Sequence, residues 1–211
     1  MHRSTLDNEM KRNYQAIIDD LKADHLLINK QVHGADVVDA DSINDFSQEL
    51  EADAAVTSKK NIALSVQTAD CVPVLLFDSE KNIIGAAHCG WRSARANILA
   101  NVVSLMQQKG ALSISAIIGP AIHQQNYEVD QPFYDEILAS EPMAADLFIG
   151  KYLFDLPGFV KLKLKQLNIH AVSNACENTY TNPDKYYSYR RDVTRGEKNI
   201  KNTLSTIMLK R

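Results

Sequence analysis

Apolar positions recur along the chain in two rhythms, and the change from one to the other organises it. Ile17, Ile18 and Leu21 have helical spacing and predict a helix over Tyr14 to Leu21, which leads into a strand over Leu26 to Gln31. Short apolar runs then follow in quick succession at Ala54 to Thr57, Ile62 to Val66, Val72 to Phe77 and Ile83 to Ala87. Polar, turn-prone stretches such as Ser58 to Asn61 and Asp78 to Asn82 divide them, which is the pattern of strands joined by tight links. Links this short favour antiparallel neighbours over helical crossovers. Past Arg92 the rhythm becomes helical: Ala94, Ile98, Val102 and Leu105 mark one face of a helix ending near Gly110. A strand over Ile114 to Ile118, helices around Phe133 to Leu138 and Phe159 to Leu167, a strand over Ile169 to Val172 and an alternating run from Ile200 to Met208 complete the pattern. Strands cluster early and helices gather later, which predicts an α+β fold with a mixed, largely antiparallel sheet flanked by helices.

The 211 residues show no compositional boundary, internal repeat or low-complexity tract, so a single domain spanning 1–211 is expected. A net charge of -3 with no dense Lys/Arg run argues against binding to a nucleic-acid backbone and leaves small-molecule chemistry. The polar opening MHRSTLDNEMKRNYQ lacks the apolar core of a signal peptide, and no apolar stretch is long enough to cross a bilayer. A cytoplasmic location is the expectation. Cys71, Cys89 and Cys176 make an odd count without framework spacing, which turns attention from disulfides to metal ligation or nucleophilic chemistry.

Three short segments place such groups at the edges of strand-like runs: Gln31-Val32-His33-Gly34, Thr68-Ala69-Asp70-Cys71 and Ala87-His88-Cys89-Gly90-Trp91-Arg92. Two imidazoles and a thiolate suit a zinc ion whose fourth position stays open, the arrangement of a catalytic site. Their intervals match no local zinc-finger spacing, so His33, Cys71 and His88 must be gathered by the sheet. If Val72 to Phe77 and Ile83 to Ala87 form a hairpin, Cys71 enters one strand where His88 leaves the other, and His33 can reach that end from a loop freed by Gly34. Each residue alone reads as a turn histidine, a small buried thiol or a hydrogen-bonded strand terminus. Asp70 could orient a histidine or exchange a proton with substrate, or simply cap a strand end. Arg92, at a helix start beyond Trp91, is suited to a phosphate or other anion, against an ordinary role in a surface ion pair.

The segments QVHG, ADAAVT, TADCVPVLLFD, AAHCGWR, IGPAI with YEV, and SYRRD occur in one order, from Gln31 to Asp192. In this the chain resembles the laccase-domain proteins, formerly called multicopper polyphenol oxidases, whose members include purine nucleoside phosphorylases and a peptidoglycan editing factor. The resemblance implies that His33, Cys71 and His88 form a zinc-binding active site. It also implies phosphorolysis of adenosine, inosine or guanosine, with adenosine deamination at the same site as an added activity. Purine nucleoside and phosphate are then the partners. Arg190, in Ser188-Tyr189-Arg190-Arg191-Asp192, is a further candidate for the cleft, while Cys89, Cys176 and His123 fall outside the matching positions. Two departures stand out. Gln125-Asn126 replaces a cysteine pair that often precedes YEV, and nothing before His33 matches the family's Thr-Arg-x-Gly-Gly hairpin.

No H-x-E with P-C-x-x-C, H-E-x-x-H, G-x-S-x-G or Gly-rich phosphate loop occurs, which removes the standard zinc deaminases, zinc proteases, serine hydrolases and P-loop enzymes. Copper-dependent polyphenol oxidation is disfavoured because none of the five methionines lies beside a ligand segment. Two other readings stay open. One is a cysteine hydrolase or peptidoglycan-precursor editing enzyme using Cys71 and His88; the other is a non-enzymatic zinc-stabilised interaction domain, which would need a fourth protein ligand.

Overall fold

A computed structural model describes residues 8–169, 171–174, 177–198 and 201–210. The chain runs α1 (Asn8–Leu21), β1 (His25–Ile28), β2 (Val37–Asp39), β3 (Ala54–Thr57), β4 (Ile62–Thr68), β5 (Val72–Asp78) and β6 (Ile83–Cys89). It continues through α2 (Trp91–Arg95), α3 (Ile98–Gln108), β7 (Ser115–Ile118), α4 (Gln131–Ser140), β8 (Phe148–Ile149) and β9 (Leu153–Phe154). The last elements are α5 (Leu156–Gln166), β10 (Ala171–Asn174), α6 (Tyr189–Thr194) and β11 (Thr203–Met208).

A six-stranded sheet, ordered β10-β7-β5-β6-β3-β2, carries helices on one face and faces a three-stranded sheet, β1-β4-β11, on the other. This sandwiching explains the nearly continuous apolar runs of β5 and β6, because both of their faces are covered. Val72, Val74 and Leu76 of β5 join Ile83, Ala87 and Cys89 of β6 in a core with α3, α4 and α5. The alternate positions Leu75, Phe77, Ile84 and Ala86 meet Leu64 and Val66 of β4 between the two sheets. Gly85 permits the close seat of α3, since a Cβ there would stand 3.1 Å from Val102 and 3.4 Å from the Met106 sulfur.

The α+β architecture with mixed, largely antiparallel sheets flanked by helices agrees with the sequence, but three local expectations do not. Of the four early runs, short links pair only β5 with β6; β4 leaves for the other sheet, where it lies parallel to β1 and antiparallel to β11. Parallel pairs β2-β3 and β10-β7 likewise join segments that no hairpin connects. The single helix expected through Ala94 to Gly110 is broken at Asn97, whose left-handed backbone (φ 65) separates α2 from α3. The final strand occupies Thr203–Met208, and Ile200 of its expected start lies outside the described residues, as does Cys176. No helix among the described residues is long and apolar enough to cross a membrane.

Candidate functional site

The β5-β6 hairpin sets Val72 opposite Cys89 and Pro73 opposite His88. Cys71, one residue before β5, therefore arrives at the same sheet end as His88. His33 joins them from the loop after β1, and the potential ligand atoms of His33, Cys71 and His88 all lie within 4.8 Å of one another. Cys71 Sγ is 3.9 Å from His33 Nε2, and the two imidazoles meet edge to face with centroids 4.8 Å apart.

Asp53, immediately before β3, holds this geometry. Its fully buried carboxylate accepts the backbone N–H groups of Val32, His33 and Gly34 at 2.8–3.0 Å, and its Oδ1 lies 2.7 Å from His88 Nδ1. Converging three successive N–H groups on one carboxylate bends the loop so that His33 itself takes the left-handed conformation, φ 59. Gly34, expected to supply that freedom, does not adopt a positive φ. Gly90 instead provides room, because a Cβ there would come within 2.8 Å of His33 Cδ2 and 3.2 Å of Cys71 Sγ. Asp53 lay in the ADAAVT segment but carried no signal of its own; an acid opening a wholly apolar run was the available clue.

Asp70 does not meet either histidine through any hydrogen bond of its carboxylate. That carboxylate accepts from Thr179 Oγ1 at 2.6 Å, Ser188 Oγ at 3.0 Å and the Arg190 backbone N–H at 2.7 Å. It thus fastens the returning C-terminal segment beside Cys71, with its own backbone at φ 89. Arg190 follows from that fastening: its Nη2 donates to the Glu128 carbonyl at 2.8 Å and its guanidinium stands 5.5 Å from the Tyr127 ring centroid. The exposed Arg92 lies over Trp91 at 4.4 Å, at the first turn of α2.

The three-ligand group borders a cavity of about 890 Å3. His33, Cys71 and His88 line it together with Arg92, Arg190 and the aromatic side chains of Tyr14, Trp91, Tyr127 and Tyr189. Met10 also borders it, but its sulfur is 3.9 Å from the Tyr14 hydroxyl. Gln31 and Gln67 stitch the wall, with Gln31 Nε2 donating to the Gln67 carbonyl and its Oε1 accepting the Gln67 N–H.

Burial alone would push the Cys71 thiol up; hydrogen bonds and charge from His33 and His88 outweigh it and draw it down to about 7. Burial opposes protonation of His88, yet Asp53 and Cys71 raise it to about 9. Asp53 is held below its ordinary value despite burial, chiefly by His88 and the Gly34 and Val32 N–H groups. Cys89, buried beside this negative charge, is pushed far up and remains a neutral core thiol.

The donor set fits a metal ion. Zinc bonds of ~2.0–2.1 Å to nitrogen and ~2.3 Å to sulfur would put tetrahedral ligand atoms about 3.3–3.6 Å apart. The 3.9 Å between Cys71 Sγ and His33 Nε2 approaches this, and Asp53 holding His88 Nδ1 leaves Nε2 as the ligating atom, an outer partner typical of such sites. His33, Cys71 and His88 could therefore hold a metal ion.

The chain matches the family model described as multi-copper polyphenol oxidoreductase laccase over residues 2–209, and it belongs to that family. It is 43% identical over 214 residues to a Rickettsia conorii protein named purine nucleoside phosphorylase, an alignment covering 99% of this chain and 88% of the relative. An Escherichia coli protein of the same name is 32% identical over 170 residues, covering 79% of this chain and 69% of that one. A crystal structure of a Neisseria meningitidis protein superposes with a TM-score of 0.86 at 30% identity, covering 97% of this chain and 83% of that one.

Proposed function

We propose that the chain is a zinc-dependent purine nucleoside phosphorylase, one domain built around the His33/Cys71/His88 centre and acting in the cytoplasm. The observation that carries the reading is that this three-ligand group opens onto a cavity lined with aromatic rings and two arginines. The names of the relatives support the substrate class. The free thiols of Cys71 and Cys89 fit a reducing compartment.

His33, Cys71 and His88 would hold the ion, and no fourth His, Cys, Asp or Glu joins the group among the described residues, which favours an open catalytic position over a closed structural one. Bound there, zinc supplies a Lewis acid that polarises a substrate oxygen or nitrogen. The aromatic rings of Tyr14, Trp91 and Tyr189 offer surfaces for a purine, while Arg92 and Arg190 offer guanidinium groups for phosphate. In phosphorolysis a phosphate oxygen bonds to the ribose carbon as the bond from that carbon to the base nitrogen breaks. The departing base takes the electron pair and the proton that the hydrogen phosphate gives up, which leaves ribose 1-phosphate. Holding phosphate and nucleoside in one cavity makes that displacement effectively unimolecular. Asp70 acts as a positioning residue, because its three hydrogen bonds set the start of α6 from which Arg190 reaches the cavity. Adenosine deamination at the same centre completes the reading.

One observation favours a second reading. A Cys71 thiol drawn to about 7 beside His33 would also serve as a nucleophile in a cysteine hydrolase. Metal analysis of the purified protein, combined with base release from adenosine, inosine and guanosine with and without phosphate, separates the two. The expected result is bound zinc, free base and ribose 1-phosphate only when phosphate is present, and loss of turnover on chelation. Base release without phosphate, or turnover that survives complete metal removal, overturns the phosphorylase reading.

A further inference from the structure

Tyr127 is a cavity residue whose hydroxyl has no hydrogen-bond partner among the described residues, although its ring is held on several sides. Phe133 meets the ring edge to face at 6.0 Å, Phe154 lies at 6.2 Å, and the Arg190 guanidinium stands 5.5 Å from its centroid. The backbone is fixed as well, with the Tyr127 carbonyl accepting the Phe154 N–H at 3.0 Å and its N–H donating to Gln124 at 3.2 Å. With Arg190 and two phenylalanines against the ring, little of it is left for stacking a base. What Tyr127 has left to offer a ligand of this cavity is its hydroxyl. Tyr127 lines the same cavity as Arg92, Arg190 and the three-ligand group. Burial, then the negative charge of Cys71, push the phenol well above its usual range, so it can only donate or accept as a neutral group.

We propose that Tyr127 is a third ligand of the phosphate nucleophile, its hydroxyl donating to a phosphate oxygen while Arg92 and Arg190 supply the countercharge. The inference rests on the phosphorylase reading and deepens it. Two guanidinium groups balance a phosphate dianion, and a neutral donor adds a direction without adding charge. Held from the side of the Tyr127 ring, the phosphate is kept from turning between the two arginines. Asp70 does not compete for this hydroxyl, since its carboxylate is occupied by Thr179, Ser188 and Arg190.

Tyr127→Phe removes the oxygen and keeps the ring. Binding of inorganic phosphate to the metal-loaded protein is measured by titration calorimetry, and steady-state rates are measured with phosphate and inosine varied separately. The expected result is about a tenfold rise in both the Kd and the KM for phosphate, equivalent to ~1.4 kcal/mol. The KM for inosine, the metal content and the melting temperature stay near wild type. Arg92→Ala, as the comparison, weakens phosphate more, because it removes a charged contact. A phosphate Kd within twofold of wild type overturns the proposal while leaving the phosphorylase reading intact. A rise confined to the KM for inosine overturns it too, since the hydroxyl would then serve the nucleoside. If the wild-type protein neither binds phosphate nor releases base, the phosphorylase reading fails and this inference falls with it.

Discussion

Gly90→Ala isolates the metal centre from the fold with one methyl group. The Gly90 backbone is extended (φ -68, ψ 165), so alanine adopts it without strain. The added Cβ would stand 2.8 Å from His33 Cδ2, 3.2 Å from Cys71 Sγ and 3.5 Å from His33 Nε2. Carbon atoms pack at ~3.5–4.0 Å, so the His33 ring must withdraw by about 0.7 Å or more. Metal coordination tolerates only about 0.2 Å. His33 is exposed, so its ring can swing outward without opening a cavity in the core. The loss should therefore fall on metal affinity, by about 10–100-fold, the range seen when groups supporting a ligand are disturbed. Stability of the chelated protein should fall by only about 1 kcal/mol, including the poorer helix cap that alanine makes at the start of α2. Zinc affinity is read by competition with a chromogenic chelator, and stability by urea unfolding in excess chelator. Wild-type zinc affinity in Gly90→Ala would refute the reasoning. So would a loss of several kcal/mol in the chelated protein, because the clash would then be borne by the fold rather than by a free ligand.

Three further outcomes are expected. Asp53→Asn must set an amide NH2 against N–H donors whichever way it turns, so it should cost about 1–3 kcal/mol for each donor left unpaired and weaken metal binding; an unchanged melting temperature with unchanged zinc affinity contradicts the role given to Asp53. In chelator-treated protein, alkylation of Cys71 by iodoacetamide should follow a pH midpoint near 7, with Cys89 unreactive and the midpoint raised in His33→Ala; a wild-type midpoint at the ordinary thiol value rules out the proposed stabilisation by the histidines. Asp78 binds the N–H groups of Glu80, Lys81, Leu112 and Ser113 and is held from 3.8 down to about 2, chiefly by Ser113. Because its folded-state value is depressed, the stability it contributes is complete above about pH 4 and is lost as pH falls towards 2, where both states are protonated. Asp78→Asn should thus be less stable than wild type at pH 7, and the gap should narrow at pH 3 in urea titrations; a gap that is the same at both pH values counts against the assignment.

What the sequence determined by itself is local. Periodicity within a few residues located β3, β5, β6 and α5, because alternation and helical spacing are written in neighbouring side chains. The tight link between Asp78 and Ile83 implied the β5-β6 hairpin, and that register alone puts Cys71 and His88 at one sheet end. Recurrent motifs named the family, and with it His33. Tertiary structure decided the rest. β4 joins β1 and β11 rather than its sequence neighbour β5, because its apolar face is buried only by crossing to the second sheet. Asn97 broke a helix that periodicity had continued, since α3 must turn to seat against Gly85. Asp53 gathers His33 and His88 from segments 20 and 35 positions away, and Asp70 captures Thr179, Ser188 and Arg190 across more than a hundred. A buried carboxylate must find donors wherever the fold brings them, and no spacing in the chain records which distant N–H or hydroxyl that will be.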